Sequence, residues 1–137
     1  MKAIKSLLML VVTVVAATML CASLASAAGL NIKVKDGIGS YLVDEKGMTL
    51  YMFAKDTPGK SACGATNGCI EKWPVFSAEK IVPAAGIDAA SIAVITRDDG
   101  KKQTTYKGHP LYYFFKDKDN EDVYGQGVNN VWSVVAP

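Results

Sequence analysis

The ten residues GMTLYMFAKD, Gly47 to Asp56, return 61 positions later as GHPLYYFFKD, Gly108 to Asp117. A chain that writes one unit twice has to pack the two copies against each other, so this repeat restricts the fold more than any other feature. Slid by 61, residues 31–56 lie over 92–117 without a gap: Val34 on Ile95, Gly39 on Gly100, Lys46-Gly47 on Lys107-Gly108. The match resumes at an offset of 59, with Trp73 on Trp132 and Val75 on Val134, the second copy having lost two loop residues. Two copies are too few for a solenoid, so the repeat predicts a pseudo-twofold single domain.

Each copy reads as short strands broken by turns. IKV, YLVD and TLYMFA are followed by KDGIG, EKG and KDTPG; AVIT, QTTY and LYYFF are followed by RDDG, KGH and KDKDN. Glycine and Asp-Gly at such spacing mark hairpins, and Val, Ile, Thr, Tyr and Phe fill the runs between them. A fourth strand carries WPVF (73–76) or VWSVV (131–135). The predicted fold is all-β: two tandem antiparallel meanders of about four short strands, packed as a sandwich or small barrel. The repeats span about 31–76 and 92–135, joined by the alanine-rich connector 77–91, where Asp88 is placed to cap one helical turn.

Period two puts Tyr51 and Phe53 on one face of the repeated strand, and Leu50 and Met52 on the other. Tyr112 and Phe114 match the first pair, while Leu111, Tyr113 and Phe115 form the second set. Both faces are apolar, as expected of a central strand covered on both sides. The aromatics read as core in preference to a ligand-stacking surface, because small β domains depend on their buried area. Tyr113 is the exception, standing where the first copy has Met52. Asp56 and Asp117 close the strands and read as turn-capping acids.

The first 27 residues have the three parts of a secretory signal peptide: Lys2 and Lys5, an uncharged run Leu7 to Leu20, and Ala25-Ser26-Ala27 as the cleavage signal. Lipidation of Cys21 ranks second, since bulky Leu20 precedes it. The mature chain, 28–137, has no transmembrane segment in this reading and is periplasmic or extracellular. Loss of Lys2 and Lys5 leaves 13 basic against 13 acidic residues. That balance disfavours nucleic acid and anionic membranes as partners. Cys63 and Cys69 then remain in an oxidising compartment and read as a disulfide closing CGATNGC, a staple of roughly 2 kcal/mol. A metal or redox dithiol is the alternative for this pair.

On these residues the chain resembles the exported small-protein family of predicted lipoproteins with a Yx(F/W/Y)xxD motif, a secreted repeat of unknown function. Tyr51, Phe53 and Asp56 fit that motif, and so do Tyr112, Phe114 and Asp117. The frame extends through the cysteine loop to Trp73-Pro74, and from Arg97 and Gly108-His109-Pro110 to Gly125-Gln126-Gly127 and Trp132. The resemblance implies an exported repeat domain and supplies no reaction.

Catalytic constellations are missing from the sequence. His109 is the only imidazole and is followed by Pro110 in a turn, so no triad forms around it. Blue-copper and covalent haem ligand sets are excluded by composition and spacing. DKDNEDVYGQG offers Asp117, Asp119, Glu121 and Asp122 to calcium but lacks the EF-hand glycine and terminal acid, and reads as a solvated acidic turn. The sequence therefore predicts a non-enzymatic exported binding or structural module of the cell envelope, with no cofactor. Its partner is an unknown envelope protein or small ligand, and His109, Tyr113, Met48 and Met52 are the candidate binding residues. A metal- or redox-linked accessory protein is the alternative function.

Overall fold

The computed structural model describes residues 28–137, and the expected signal peptide and Cys21 lie outside the described residues. The duplicated segments fold into β1 (Ala28–Lys35), β2 (Gly39–Asp44) and β3 (Tyr51–Phe53) in the first copy. The second copy supplies β5 (Ile92–Thr96), β6 (Lys102–Tyr106), β7 (His109–Pro110) and β8 (Trp132–Val134). The first copy also holds α1 (Cys69–Lys72), and between the copies lie β4 (Ile81–Pro83) and a 3-10 turn at Ala89–Ser91. Asp88 does cap that turn, accepting from the Ala90 N–H at 3.0 Å.

The strands form three sheets, β2-β1-β4, β3-β8 and β5-β6-β7, and no sheet among the described residues closes into a barrel. The β1–β2 and β5–β6 hairpins are antiparallel, with Leu30 opposite Asp44 and Ile92 opposite Tyr106. β4 lies within the expected connector and pairs in parallel with the start of β1, Ala28 opposite Ile81. Its three residues include Pro83 and carry no alternating pattern, which is why the sequence reads as a linker there.

The copies are not two self-contained meanders. β3 of the first copy pairs with β8 of the second, Tyr51 opposite Val134. In return, Tyr112 of the second copy bridges to Val75 of the first. The two third strands meet through Tyr51 and Tyr112, which exchange backbone hydrogen bonds of 2.8 and 3.0 Å. The lateral order across the centre is thus Val75, Tyr112, Tyr51, Val134. Each copy lends its fourth strand to the other, a possibility invisible to local propensity.

Hydrogen bonding also corrects the repeat alignment. Leu42 donates to Val135 O and accepts from Leu50 N; Thr104 donates to Phe76 O and accepts from Leu111 N. Leu42 and Thr104 are therefore equivalent, an offset of 62, while Leu50 and Leu111 keep 61. The gapless match slips by one residue upstream of the Lys46-Gly47 and Lys107-Gly108 turns. Ile32, opposite Leu42, therefore corresponds to Val94, opposite Thr104, where the gapless match would have set Lys33. The identity of Gly39 and Gly100 is coincidence at the hairpin tips, where turn chemistry repeats easily.

Strand alternation sorts the core into two clusters. Leu30, Leu42, Leu50, Leu111 and Val135 gather on one side, with Met52 and Tyr113 packed against them. Tyr51, Cys63, Trp73, Tyr112, Phe114 and Trp132 gather on the other. The expected faces of the repeated strand hold, with one correction: Phe115 is 41% exposed rather than covered. Because each third strand finds its partner in the other copy, residues 28–91 made alone should show no cooperative thermal transition. Adding 92–137 as a separate chain should restore the transition, together with near-ultraviolet circular dichroism from the paired tryptophans.

Candidate functional site

The motif residues come together at the centre of the second cluster. Trp73 and Trp132 stack at 3.7 Å with planes 4° apart. Phe53 stacks on Trp132 at 4.2 Å, and Phe114 on Trp73 at 4.3 Å. The four rings run Phe53, Trp132, Trp73, Phe114, a series that reads the same from either copy. Tyr51 meets Trp73 edge-on at 5.5 Å, and Tyr112 meets Trp132 edge-on at 5.2 Å. Each such aromatic pair adds about 0.5–1.5 kcal/mol beyond its buried area.

The tyrosine hydroxyls carry the exchange further. Tyr51 donates to Asp117 Oδ2 at 2.6 Å, and Tyr112 donates to Asp56 Oδ2 at 2.8 Å. The motif tyrosine of each copy thus holds the motif aspartate of the other. The second oxygen of each carboxyl organises a loop: Asp56 Oδ1 accepts from Ala62 N at 2.6 Å, and Asp117 Oδ1 from Tyr124 N at 3.0 Å. The expectation of an acid capping its own turn is thus replaced by bonds to N–H groups six and seven residues on, and sequence reasoning missed the cross-copy bond. The duplication itself is the signal that could have found it, since reciprocal contacts follow whenever two like units face each other.

Space is tight around this pairing. Gly125 donates its N–H to the Tyr51 hydroxyl at 3.1 Å. A Cβ at Gly125 would stand 2.7 Å from the Tyr51 ring and 3.0 Å from Trp73, so any side chain there collides with the stack.

Around Tyr112 the network continues into the first copy's loop. Ser61 Oγ lies 2.5 Å from the Tyr112 hydroxyl, and buried Arg97 donates to Ser61 Oγ at 2.8 Å. Tyr112 has one proton and gives it to Asp56, so Ser61 must donate to Tyr112. The result is a one-way chain from Arg97 through Ser61 and Tyr112 to Asp56. Arg97 also donates to Gln103 Oε1 and Cys63 O, and pairs with Asp99 at 3.2 Å. A serine oxygen that accepts from a guanidinium is less nucleophilic, and the Ser61 proton is directed along the chain toward Asp56.

The remaining sequence candidates are dispersed. Cys63 and Cys69 form the expected disulfide, Cα atoms 5.3 Å apart, closing the loop that leads through α1 to Trp73. Tyr113 donates to Asp44 Oδ2 at 2.8 Å and packs edge-on against Phe76, with Met52 against the same cluster. Met48 and His109 are not brought together. Met48 follows Gly47, which faces Asn120 and Lys33, whereas exposed His109 follows Gly108, which faces Pro58 and Gly59. Both glycines have φ near +80°, which keeps these turns glycine-bound.

The acidic stretch is spent on local bonds. Asp122 Oδ2 accepts from Lys118 N and Asp119 N, and Asp119 Oδ1 accepts from Glu121 N. Glu121 Oε1 lies 3.5 Å from Lys33 Nζ, and both oxygens of Asp117 are already used. Among the described residues no group of three His, Cys, Asp or Glu side chains is arranged to hold a metal ion.

Two open clefts lie beside the loops that follow the motif aspartates. One, of about 650 Å³, lies by the disulfide loop and is lined by Lys55, Lys60, Ala62, Arg97, Asp98 and Asp99 among others. The second, of about 770 Å³, reaches Trp73 and Phe114 and is bordered by Phe115, Lys116 and Tyr124. Lys55 and Lys116 are the same position of the repeat.

The duplication seen in the crossed tyrosines and aspartates is also a family signature. The family described as "Secreted repeat of unknown function" matches twice, at residues 33–77 and 93–136. The chain belongs to that family. Its two matched segments are the two copies whose tyrosines and aspartates cross over. No curated protein and no solved structure matches the chain. Among the described residues no helix is long and apolar enough to cross a membrane.

Burial raises the hydroxyl pKa of Tyr51, Tyr112 and Tyr113, and the carboxylates Asp117, Asp56 and Asp44 beside them raise it further; Tyr112 reaches about 12. Burial also raises Asp56 and Asp117, against the pull of the N–H and hydroxyl donors that face them. Between the ordinary tyrosine value of 10.0 and about 12, the folded chain keeps a Tyr112 proton that the unfolded chain releases. Stability present below pH 10.0 should therefore be lost as pH rises toward 12. Urea unfolding at stepped pH should show that fall, and Tyr112→Phe, about 1–3 kcal/mol less stable at neutral pH, should show a shallower one.

Proposed function

We propose that this member of the secreted-repeat family is a non-enzymatic binding module, in which the duplicated motif builds a rigid support and the flanking clefts receive the ligand. The leading observation is that the chemically capable groups near the centre are committed to one another. Asp56, Asp117, Tyr51, Tyr112, Ser61 and Arg97 all have internal partners, and no buried side-chain nitrogen or oxygen among the described residues lacks one. A polar network satisfied in this way specifies one arrangement of the two copies and holds it fixed.

The protein in this reading works outside the cytoplasm after its leader is removed. Intact mass of the exported protein should correspond to a chain beginning at Ala28 with one disulfide, and a diacylated species beginning at Cys21 would overturn that processing. For the module itself, purified 28–137 should turn over no ester, phosphoester, glycoside or peptide substrate above the blank. Turnover that disappears in Ser61→Ala or Asp56→Asn, with the thermal midpoint of the variant still measurable and the chain folded, would make the protein an enzyme.

A further inference from the structure

The cleft at the Phe114 end of the ring stack differs from its counterpart in a way the fold does not require. Phe115 is 41% exposed and Tyr124 is 64% exposed, both on its border. Their repeat equivalents are alanines. Phe115 corresponds to Ala54 at the offset of 61. Tyr124 corresponds to Ala62, because these two residues make the same N–H bond to Asp117 and Asp56. The first copy folds with a methyl group at each position, so neither ring is needed to build the unit. Two large rings held in solvent at neighbouring places stabilise little by themselves, and exposed aromatic patches of this kind mark binding surfaces.

Charge separates the two clefts as clearly. The disulfide-loop cleft sets Lys55, Lys60 and Arg97 against Asp98 and Asp99. The aromatic cleft has Lys72, Lys116 and Lys118 on its border and no acidic side chain lining it. Neither ion pair among the described residues involves these lysines. Lys116 Nζ sits 5.7 Å from the centre of the Phe115 ring, so one cation is already placed over an aromatic face. The floor is stiff, since Trp73 and Phe114 belong to the stacked series and Phe114 meets Phe115 edge-on at 5.2 Å.

We propose that this cleft binds a small planar aromatic anion, its ring against Phe115 and Tyr124 and its acidic group among the three lysines. This rests on the binding-module reading and names its ligand class. The volume of about 770 Å³ suits one small molecule. The three lysines are gathered at one small cleft, which matches a single acidic group rather than a polyanion.

Titration of 28–137 with 1-anilinonaphthalene-8-sulfonate, an aromatic sulfonate, tests the assignment by fluorescence. One saturable site is expected, weakened at least tenfold by the double change Lys116→Glu and Lys118→Glu and by Phe115→Ala with Tyr124→Ala. These side chains are exposed, so the thermal midpoints of both variants should match the parent. Added salt should weaken the binding, and uncharged N-phenyl-1-naphthylamine should bind more weakly and ignore the lysine changes. Probe binding that survives either double variant would overturn the site. So would displacement by inorganic phosphate or by poly-glutamate at concentrations as low as those of the probe, which would make the cleft a simple anion site or a peptide surface. Loss of the site would leave the module reading standing, whereas chemical conversion of a bound aromatic acid would overturn the module and keep the site.

Discussion

The backbone pair between Tyr51 and Tyr112 is the contact on which the rest of the structure depends. Two residues from equivalent places exchange both of their hydrogen bonds, and that exchange sets each third strand beside its twin. Everything nearby then has to be reciprocal. The tryptophans meet face to face, each phenylalanine stacks on the other copy's tryptophan, and each tyrosine hydroxyl reaches the other copy's aspartate. Removing any one of these members leaves a buried polar group unpaired or a gap in a ring stack, and both are costly in a domain this small.

Crossing over has an energetic logic. A lone meander of this length would bury too little apolar surface to offset its ordering entropy. By lending its fourth strand, each copy covers the exposed side of its neighbour and shares one aromatic cluster. The aspartates extend the arrangement outward, because each accepts a tyrosine proton on one oxygen and a loop N–H on the other. The loops that border the two clefts are therefore positioned by the motif. Variation between copies can then accumulate at the cleft edges without disturbing the centre, as Ala54 against Phe115 and Ala62 against Tyr124 illustrate.

Much of the local structure was legible in residue pattern. Turn glycines and β-branched runs located β1, β2, β5 and β6, the period of two assigned Leu50 and Tyr51 to opposite clusters, and Asp88 announced its capping role. The disulfide followed from two cysteines close in sequence that were read as exported. β4 escaped because a three-residue parallel strand containing proline has no periodicity to detect. The one-residue slip of the repeat also escaped, since register is read from hydrogen bonds rather than from matching letters. Arg97 stood in the motif frame without a role until its contacts with Ser61, Gln103 and Cys63 O appeared.

The sequence by itself determined that one β unit is written twice and that its aromatics and aspartates belong to that unit. Those properties depend on neighbours within a few residues, where propensity and turn chemistry act. Only the tertiary structure decided which copy each strand, ring and carboxyl would serve. Partner choice between two nearly identical units is a difference in long-range packing, and no local pattern can express it. The same holds for the clefts: residue pattern assigned Phe115 to a covered strand face, whereas the fold leaves it exposed and lines one cleft with Phe115, Lys116 and Tyr124 of the second copy and Lys72 and Trp73 of the first.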